Sequence, residues 1–277
     1  MYKAFEGGAI GVSVSYDEAV ELAAHYGFEG LYLNVGYLTE NGPETVVQML
    51  YERGLQSAGW GLPVSLMAPA ADFKAQLAKL PEIADRCARA GDQRCSTWIL
   101  SGSNDMQYDE MFDFLSGRIA QVARILKESD VRLGLEFLGP KTIRDKFRHA
   151  FIYTMDGMLE LCEAVGTGNV GLLLDAWHLY TGGGGMEDVL KLTDHNVVNV
   201  HINDAPAGVP LEKQVDNVRC LPGETGVMDV RRFLECLQQI GYTGPVMAEP
   251  FSERVRKMKR EDAIRATKDA IDSVWPA

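Results

Sequence analysis

Four consecutive apolar segments in the second half of the chain each end in a side chain able to hold a cation. Residues 131–137 read Val-Arg-Leu-Gly-Leu-Glu-Phe. In a strand, alternation sends Leu133, Leu135 and Phe137 one way and Gly134 and Glu136 the other. Residues 170–175 are apolar until the run ends in Asp175. In 197–202, Asn199 and His201 share the face opposite Val198, Val200 and Ile202. In 246–249, Met247 and Glu249 share a face. A single inward Glu near a strand end is commonly a rim ion pair. Three carboxylates and one imidazole in register on consecutive strands repel one another unless protonated or bound to a cation. Three oxygen ligands and one nitrogen suit one divalent ion such as Mn²⁺, Co²⁺ or Mg²⁺, and Zn²⁺ is compatible. Four protein ligands leave two octahedral positions, enough to chelate a hydroxyl and an adjacent carbonyl of a substrate.

Other residues offer weaker chemistry. His178 lies three positions after Asp175 and could donate a hydrogen bond to a substrate oxygen, or could be a structural histidine. Arg219, just before Pro222-Gly223, could hold a substrate hydroxyl or an anion, or form a loop ion pair. Trp177 is a candidate wall for stacking a sugar, although a packed aromatic is the commoner use. Arg254, Arg256, Lys257, Lys259 and Arg260 follow the last strand. Barrel phosphate sites often lie there, but a solvated helix start or a subunit contact is the simpler reading. The five cysteines form no Cys-x-x-Cys and are read as reduced structural thiols.

These residues need elements to carry them, and the chain supplies an alternation. Short apolar segments at 9–14, 30–35, 63–67, 96–100, 131–137, 170–175, 197–202 and 246–249 read as strands. Segments at 43–53, 73–90, 109–127, 155–165, 186–192, 230–240 and 261–274 carry helical spacing, and Ser15 with Glu18 forms a capping box for one more. Eight strand–helix pairs of about 35 residues each predict a single (β/α)8 barrel over residues 1–277. A doubly wound open sheet would need a Gly-x-Gly-x-x-Gly or a P-loop after an early strand, and neither occurs. The glycine run 182–185 reads as a loop that could give room beside a site.

Composition narrows the class. With 277 residues, 46% of them hydrophobic, the chain can bury a large core. Lys+Arg 27 against Asp+Glu 39 gives a net charge of −12, which argues against a nucleic-acid partner. The N-terminus has no basic region followed by an apolar stretch, and no run approaches transmembrane length. The expectation is a cytoplasmic enzyme with no membrane partner.

Glu136-Phe137-Leu138-Gly139, the run from Asn169 to His178, His201-Ile202-Asn203-Asp204 and Glu249-Pro250-Phe251 resemble the sugar isomerase/epimerase family of xylose-isomerase-like barrels. From Asn169 to Phe251 the chain looks most like its inosose (2-keto-myo-inositol) isomerases, sharing Asp-x-x-His, the Arg219 loop with Pro-Gly, and Ile240-Gly241-Tyr242. The resemblance implies a metal on Glu136, Asp175, His201 and Glu249, and a small sugar or keto-polyol as substrate. It also implies that Glu136 and Glu249 move a proton and that His178 binds substrate oxygen. Related ketose 3-epimerases carry an Arg shortly after the seventh-strand His. Here that stretch is Asp204-Ala205-Pro206-Ala207, and Arg219 could take over the role. Barrels of this kind often associate, so a homo-oligomer is compatible with the glycine-rich and basic loops. The expected reaction is isomerisation or epimerisation through an enediolate stabilised by metal coordination. A metal-dependent lyase or dehydratase on a keto-sugar or inosose would use the same enediolate. An endonuclease IV-type hydrolase would need several zinc ions and many histidines, against five here. A non-catalytic sugar-binding barrel would not need all four ligands.

Overall fold

Strands apolar on both faces must be covered on both sides, and in this chain they pair in parallel. The computed structural model describes residues 1–277. Its main sheet contains β1 (Tyr2–Phe5), β2 (Gly30–Leu31), β3 in two pieces (Gln56–Ser57 and Trp60–Gly61), β4 (Arg94–Ile99), β5 (Arg132–Phe137), β6 (Val170–Asp175), β7 (Val197–Ile202) and β8 (Pro245–Ala248). Each strand pairs with its neighbour in sequence, and β1 also pairs with β8. The first piece of β3 pairs with β2 and the second with β4, so the sheet closes on itself. This is the expected TIM barrel.

The break in β3 has a local cause. Gly59 sits at φ +101°, and a Cβ there would lie 2.7 Å from Asn199 Nδ2 inside the barrel. The buried Asp92 carboxylate accepts from Gly59 N at 2.7 Å and from the Ser57 hydroxyl at 2.5 Å, which holds the kink.

Helices α1 (Tyr16–His25), α2 (Tyr108–Glu128), α3 (Met155–Val165), α4 (Ala176–Thr181), α5 (Val230–Gln239) and α6 (Arg260–Val274) cover the outside with several shorter ones. Ser15 caps α1 by accepting from Glu18 N at 3.3 Å. A cluster of 66 buried residues fills the layer between strands and helices. A separate small cluster, Ala4, Ala58 and Met247, packs with Tyr2 and Tyr32 in the barrel interior. No helix is long and apolar enough to cross a membrane.

Several expected boundaries move. The first strand is Tyr2–Phe5, not 9–14, and the third is Gln56–Gly61, not 63–67. Both misplaced segments are apolar because they are buried as loops: Ala9, Ile10, Val64 and Leu66 are all inaccessible. The expected helix 73–90 is two, Ala70–Leu77 and Leu80–Arg89, divided ahead of Pro81. Within the 182–185 glycines, Gly182 and Gly184 are close-packed, a Cβ at Gly184 meeting Leu179 at 2.5 Å, while Gly183 and Gly185 face open space. Lys257 pairs with Glu253, Arg254 with Glu224, and Arg260 with Glu18 and Glu261, so this basic cluster is a surface ion-pair network.

Beyond β5, Gly139 passes so close to α4 that a Cβ would lie 2.2 Å from the His178 carbonyl oxygen. Neither backbone can yield without moving Glu136 or Asp175. Gly139→Ala is expected to lose about 1–3 kcal/mol of stability. A denaturant midpoint unchanged from wild type would disprove that packing constraint.

Candidate metal centre

Register places the site before any side chain is inspected. Asp175 pairs with His201 across β6 and β7, and His201 with Met247 across β7 and β8. Partners in parallel strands share a face, so Glu249, two residues after Met247, rises on the inner side at the mouth. Glu249 N donates to Ile202 O at 3.0 Å, which extends the ladder one residue beyond β8. Trp98 pairs with Glu136 across β4 and β5, so both point inward.

The four expected ligand residues do come together. One donor atom from each of Glu136, Asp175, His201 and Glu249 lies within 4.8 Å of the other three. His201 Nδ1 is 3.7 Å from Glu136 Oε1 and 3.6 Å from Glu249 Oε1. Those contacts are too long for hydrogen bonds. Glu136 Oε1 and His201 Nδ1 are both buried without a hydrogen-bond partner. Buried polar atoms are rarely left so, and two that face one another fit the lining of a cation site. The donor set is the mixed carboxylate–imidazole set that a single divalent ion takes.

The electrostatics agree. Burial, opposed by His201 and reinforced by Glu249 and Asp175, raises the Glu136 carboxyl to about 7. Burial works against a charged His201, but the Glu249 and Glu136 carboxylates hold its pKa well above the ordinary value. Burial would raise Glu249, yet His201 and Arg219 bring it below its usual range. A proton on His201 thus occupies the place of positive charge that a cation would take.

Behind these groups lies a second layer. Asp175 caps α4, its Oδ1 accepting from Trp177 N at 2.6 Å and His178 N at 3.2 Å. Arg219 Nη1 donates to Asp175 Oδ2 at 2.8 Å and to Glu249 Oε2 at 3.0 Å. Its Nη2 donates to Asp216 Oδ1 at 2.6 Å, and its Nε to Asp216 O at 2.8 Å. The loop carrying Arg219 is fixed by a two-residue bridge, Asp204 with Cys220. Asp204, fully buried, then accepts from the backbone N–H groups of Thr225, Gly226 and Met228. Asn203 reaches both Asp175 oxygens and Glu249 O.

His178 is buried, and burial followed by the Arg219 charge pushes it down to about 3, so the ring is neutral. Its Nδ1 accepts from Gly139 N at 3.2 Å, which leaves Nε2 as the N–H, 3.6 Å from Asp216 Oδ1. The structure therefore brings His178 and Arg219 to the site, with Arg219 engaged by its carboxylates and His178 packed 3.2 Å from Arg219 Nη2. Trp177 does not form the expected stacking wall. It is fully buried, and the Arg219 guanidinium lies 4.6 Å over its ring. The aromatic at the mouth is Trp98, 57% exposed beside Glu136. Alternation from Ser96 would have revealed it. Glu6 and Tyr32 also reach the mouth. Glu6 falls outside the expected elements because the first strand starts at Tyr2 rather than seven residues later at Ala9. Burial pushes all five thiols upward, so none is a ready nucleophile.

A family model for the xylose isomerase-like TIM barrel matches residues 20–274. The chain belongs to the xylose isomerase-like TIM barrel family. Within that family, inosose isomerase from Halalkalibacterium halodurans is 30% identical over 157 residues, 56% of this chain and 52% of that protein. The 3-dehydroshikimate dehydratase of Pseudomonas putida is 25% identical over 259 residues, 89% of this chain and 38% of that protein. The chain thus matches about half the length, or less, of these two curated relatives. A solved xylose isomerase domain protein from Alicyclobacillus acidocaldarius superposes with a TM-score of 0.89 at 30% identity, covering 99% of this chain and 97% of that one. Xylose isomerase-like barrels therefore account for the fold along its whole length.

Protonation competes with a cation here. A carboxyl raised from its ordinary 4.5 to about 7 favours the metal-free fold at low pH, and that contribution is lost as pH rises through about 7. A cation replaces the proton, so Mn²⁺ is expected to raise the melting temperature more at pH 8 than at pH 6. A thermal gain independent of pH over this range would remove Glu136 from the ligand set.

Proposed function

We propose that this protein is a divalent-metal-dependent isomerase or epimerase of a polyhydroxy ketone, a ketose or keto-inositol, with Glu136 and Glu249 as the proton-transfer groups. The observation that carries the reading is the four-residue cluster with two buried, unpartnered donors facing one another. The similarity to inosose isomerase supports a keto-inositol.

A proton on carbon beside a carbonyl is too weakly acidic for an unaided carboxylate. A divalent ion held by Glu136, Asp175, His201 and Glu249 would supply Lewis acidity to the carbonyl and its neighbouring hydroxyl. The chain does the rest. Glu136 and Glu249 stand on β5 and just beyond β8, on either side of His201. A carboxylate is the type of group that takes a proton from carbon and returns it. Return to the adjacent carbon gives isomerisation, and return from the opposite side gives epimerisation. Arg219 and Asn203 hold Asp175 and Glu249 in place, which fixes the angle from which each carboxylate acts. Trp98 offers its exposed ring as the wall against which an apolar face of a sugar would lie.

Dehydration is the second reading, favoured by the dehydratase relative that aligns with 89% of this chain. It would begin with the same proton removal and end in loss of water. With Mn²⁺, the protein is expected to move solvent deuterium onto the carbon beside the carbonyl of an inosose or ketohexose, with product mass otherwise unchanged. Glu249→Gln should slow this by about 10²–10⁴-fold. NMR and mass spectrometry decide the matter: a product lighter by one water transfers the assignment to a dehydratase, and full activity in Glu249→Gln overturns both.

A further inference from the structure

The groups on the far side of the mouth are not ligand candidates, and they carry information about the substrate. Ala4 pairs in register with Met247 and with Gly30, so β8, β1 and β2 share a layer inside the barrel. Two residues on, the same face carries Glu249, Glu6 and Tyr32 side by side. Phe5 and Leu31, between them, point outward into the helix-side core. Glu6 therefore adjoins the metal centre without belonging to it. The charged groups that reach it are His201 and Glu249, and no Lys or Arg does. Tyr32 reaches across the mouth toward β3, where a Cβ at Gly61 would lie 3.1 Å from its hydroxyl. Glu6, Tyr32 and Ser13 are polar groups on a mostly apolar cavity of about 450 Å³ that lies beside the four-residue cluster and is lined by none of those four residues.

A carboxyl group with no Lys or Arg partner, a phenol and a serine hydroxyl form a surface that accepts and donates hydrogen bonds to hydroxyls. Burial, opposed by His201 and reinforced by Glu249, raises the Glu6 pKa, and the Glu249 charge beside it repels an anion. The one basic side chain built into the site cannot compensate. The guanidinium of Arg219 already donates to Asp175, Glu249 and Asp216, and its remaining edge faces His178.

We infer that Glu6 and Tyr32 form a hydroxyl-binding subsite that selects an uncharged polyhydroxy ketone and rejects a ketone bearing a carboxylate. Of the two substrate types named for its relatives, the geometry favours the inosose over 3-dehydroshikimate. The inference rests on the proposed function for the position of the ketone but reads binding rather than turnover.

Calorimetry on the Mn²⁺-loaded protein tests it, with 2-keto-myo-inositol and 3-dehydroshikimate as probes. Wild type is expected to bind 2-keto-myo-inositol at least about tenfold more tightly. Glu6→Gln should weaken that binding about tenfold, tighten 3-dehydroshikimate, and leave Mn²⁺ affinity within about twofold. Tyr32→Phe, which removes only a hydroxyl, should weaken 2-keto-myo-inositol about three- to tenfold and guards against a Glu6 variant that does not fold. Equal affinity of wild type for the two ketones overturns the inference, and so does a Glu6→Gln protein that binds both as wild type does. If 2-keto-myo-inositol binds with the expected Glu6 dependence but exchanges no deuterium, the isomerase reading fails and the subsite stands.

Discussion

Three carboxylates and an imidazole gathered within 4.8 Å, nearly all of them buried, must be answered by positive charge. Much of the upper half of the barrel is organised around that requirement. Arg219 provides one positive charge from behind, at 2.8 Å from Asp175 and 3.0 Å from Glu249. It leaves the front of the cluster, Glu136 and His201, uncompensated. Without a cation, a proton on His201 serves in its stead. The split matters: a guanidinium saturated by hydrogen bonds cannot move with the chemistry, whereas a proton or a metal ion can be exchanged.

Holding Arg219 there takes more structure than the four clustered residues themselves. Asp204 follows His201 by three residues and ties the next loop down through a bridge to Cys220 and three backbone N–H bonds. Trp177 forms the floor under the guanidinium and Phe251 lies 5.0 Å from it on another side. Strand β6 contributes twice, since Asp175 both faces the centre and caps the helix that delivers His178. The neutral, low-pKa His178 avoids placing a second positive charge beside Arg219. The division of labour around the barrel follows: β5 to β8 bring the groups that suit a cation, while β1, β2 and β4 bring Glu6, Tyr32 and Trp98, which face whatever lies on it.

Much of this was legible in the residues. The strands at 131–137, 170–175, 197–202 and 246–249 are apolar on the helix side and carry a polar group at the end of the other face, a pattern that period-2 alternation converts directly into an inward set. Glu136, Asp175, His201 and Glu249 could be named on that basis and are found together. The first half of the barrel was harder. Strands β1, β2 and β3 have only two to four residues per piece and include Tyr2, Lys3, Gln56 and Ser57, so they lack the apolar run that announces a strand. The more apolar segments beside them, 9–14 and 63–67, owe their composition to burial under loops, and hydrophobicity alone does not distinguish the two.

By itself the sequence determined the barrel, the four inward groups and the chemistry their types permit, because alternation and helix spacing are local properties of the chain. Only the tertiary structure decided what the remaining residues do. Arg219 meets Asp175, and Asp204 bridges Cys220 next to Arg219, from separate loops and strands, and no spacing along the chain predicts those contacts. The same holds for the exchange of roles between the tryptophans. Trp177 is sealed by a guanidinium that arrives 42 residues later in the chain, and Trp98 is left open because it pairs with Glu136 at the mouth. Hydrogen-bond saturation and burial are properties of neighbours in space, and those neighbours exist only once the sheet has closed.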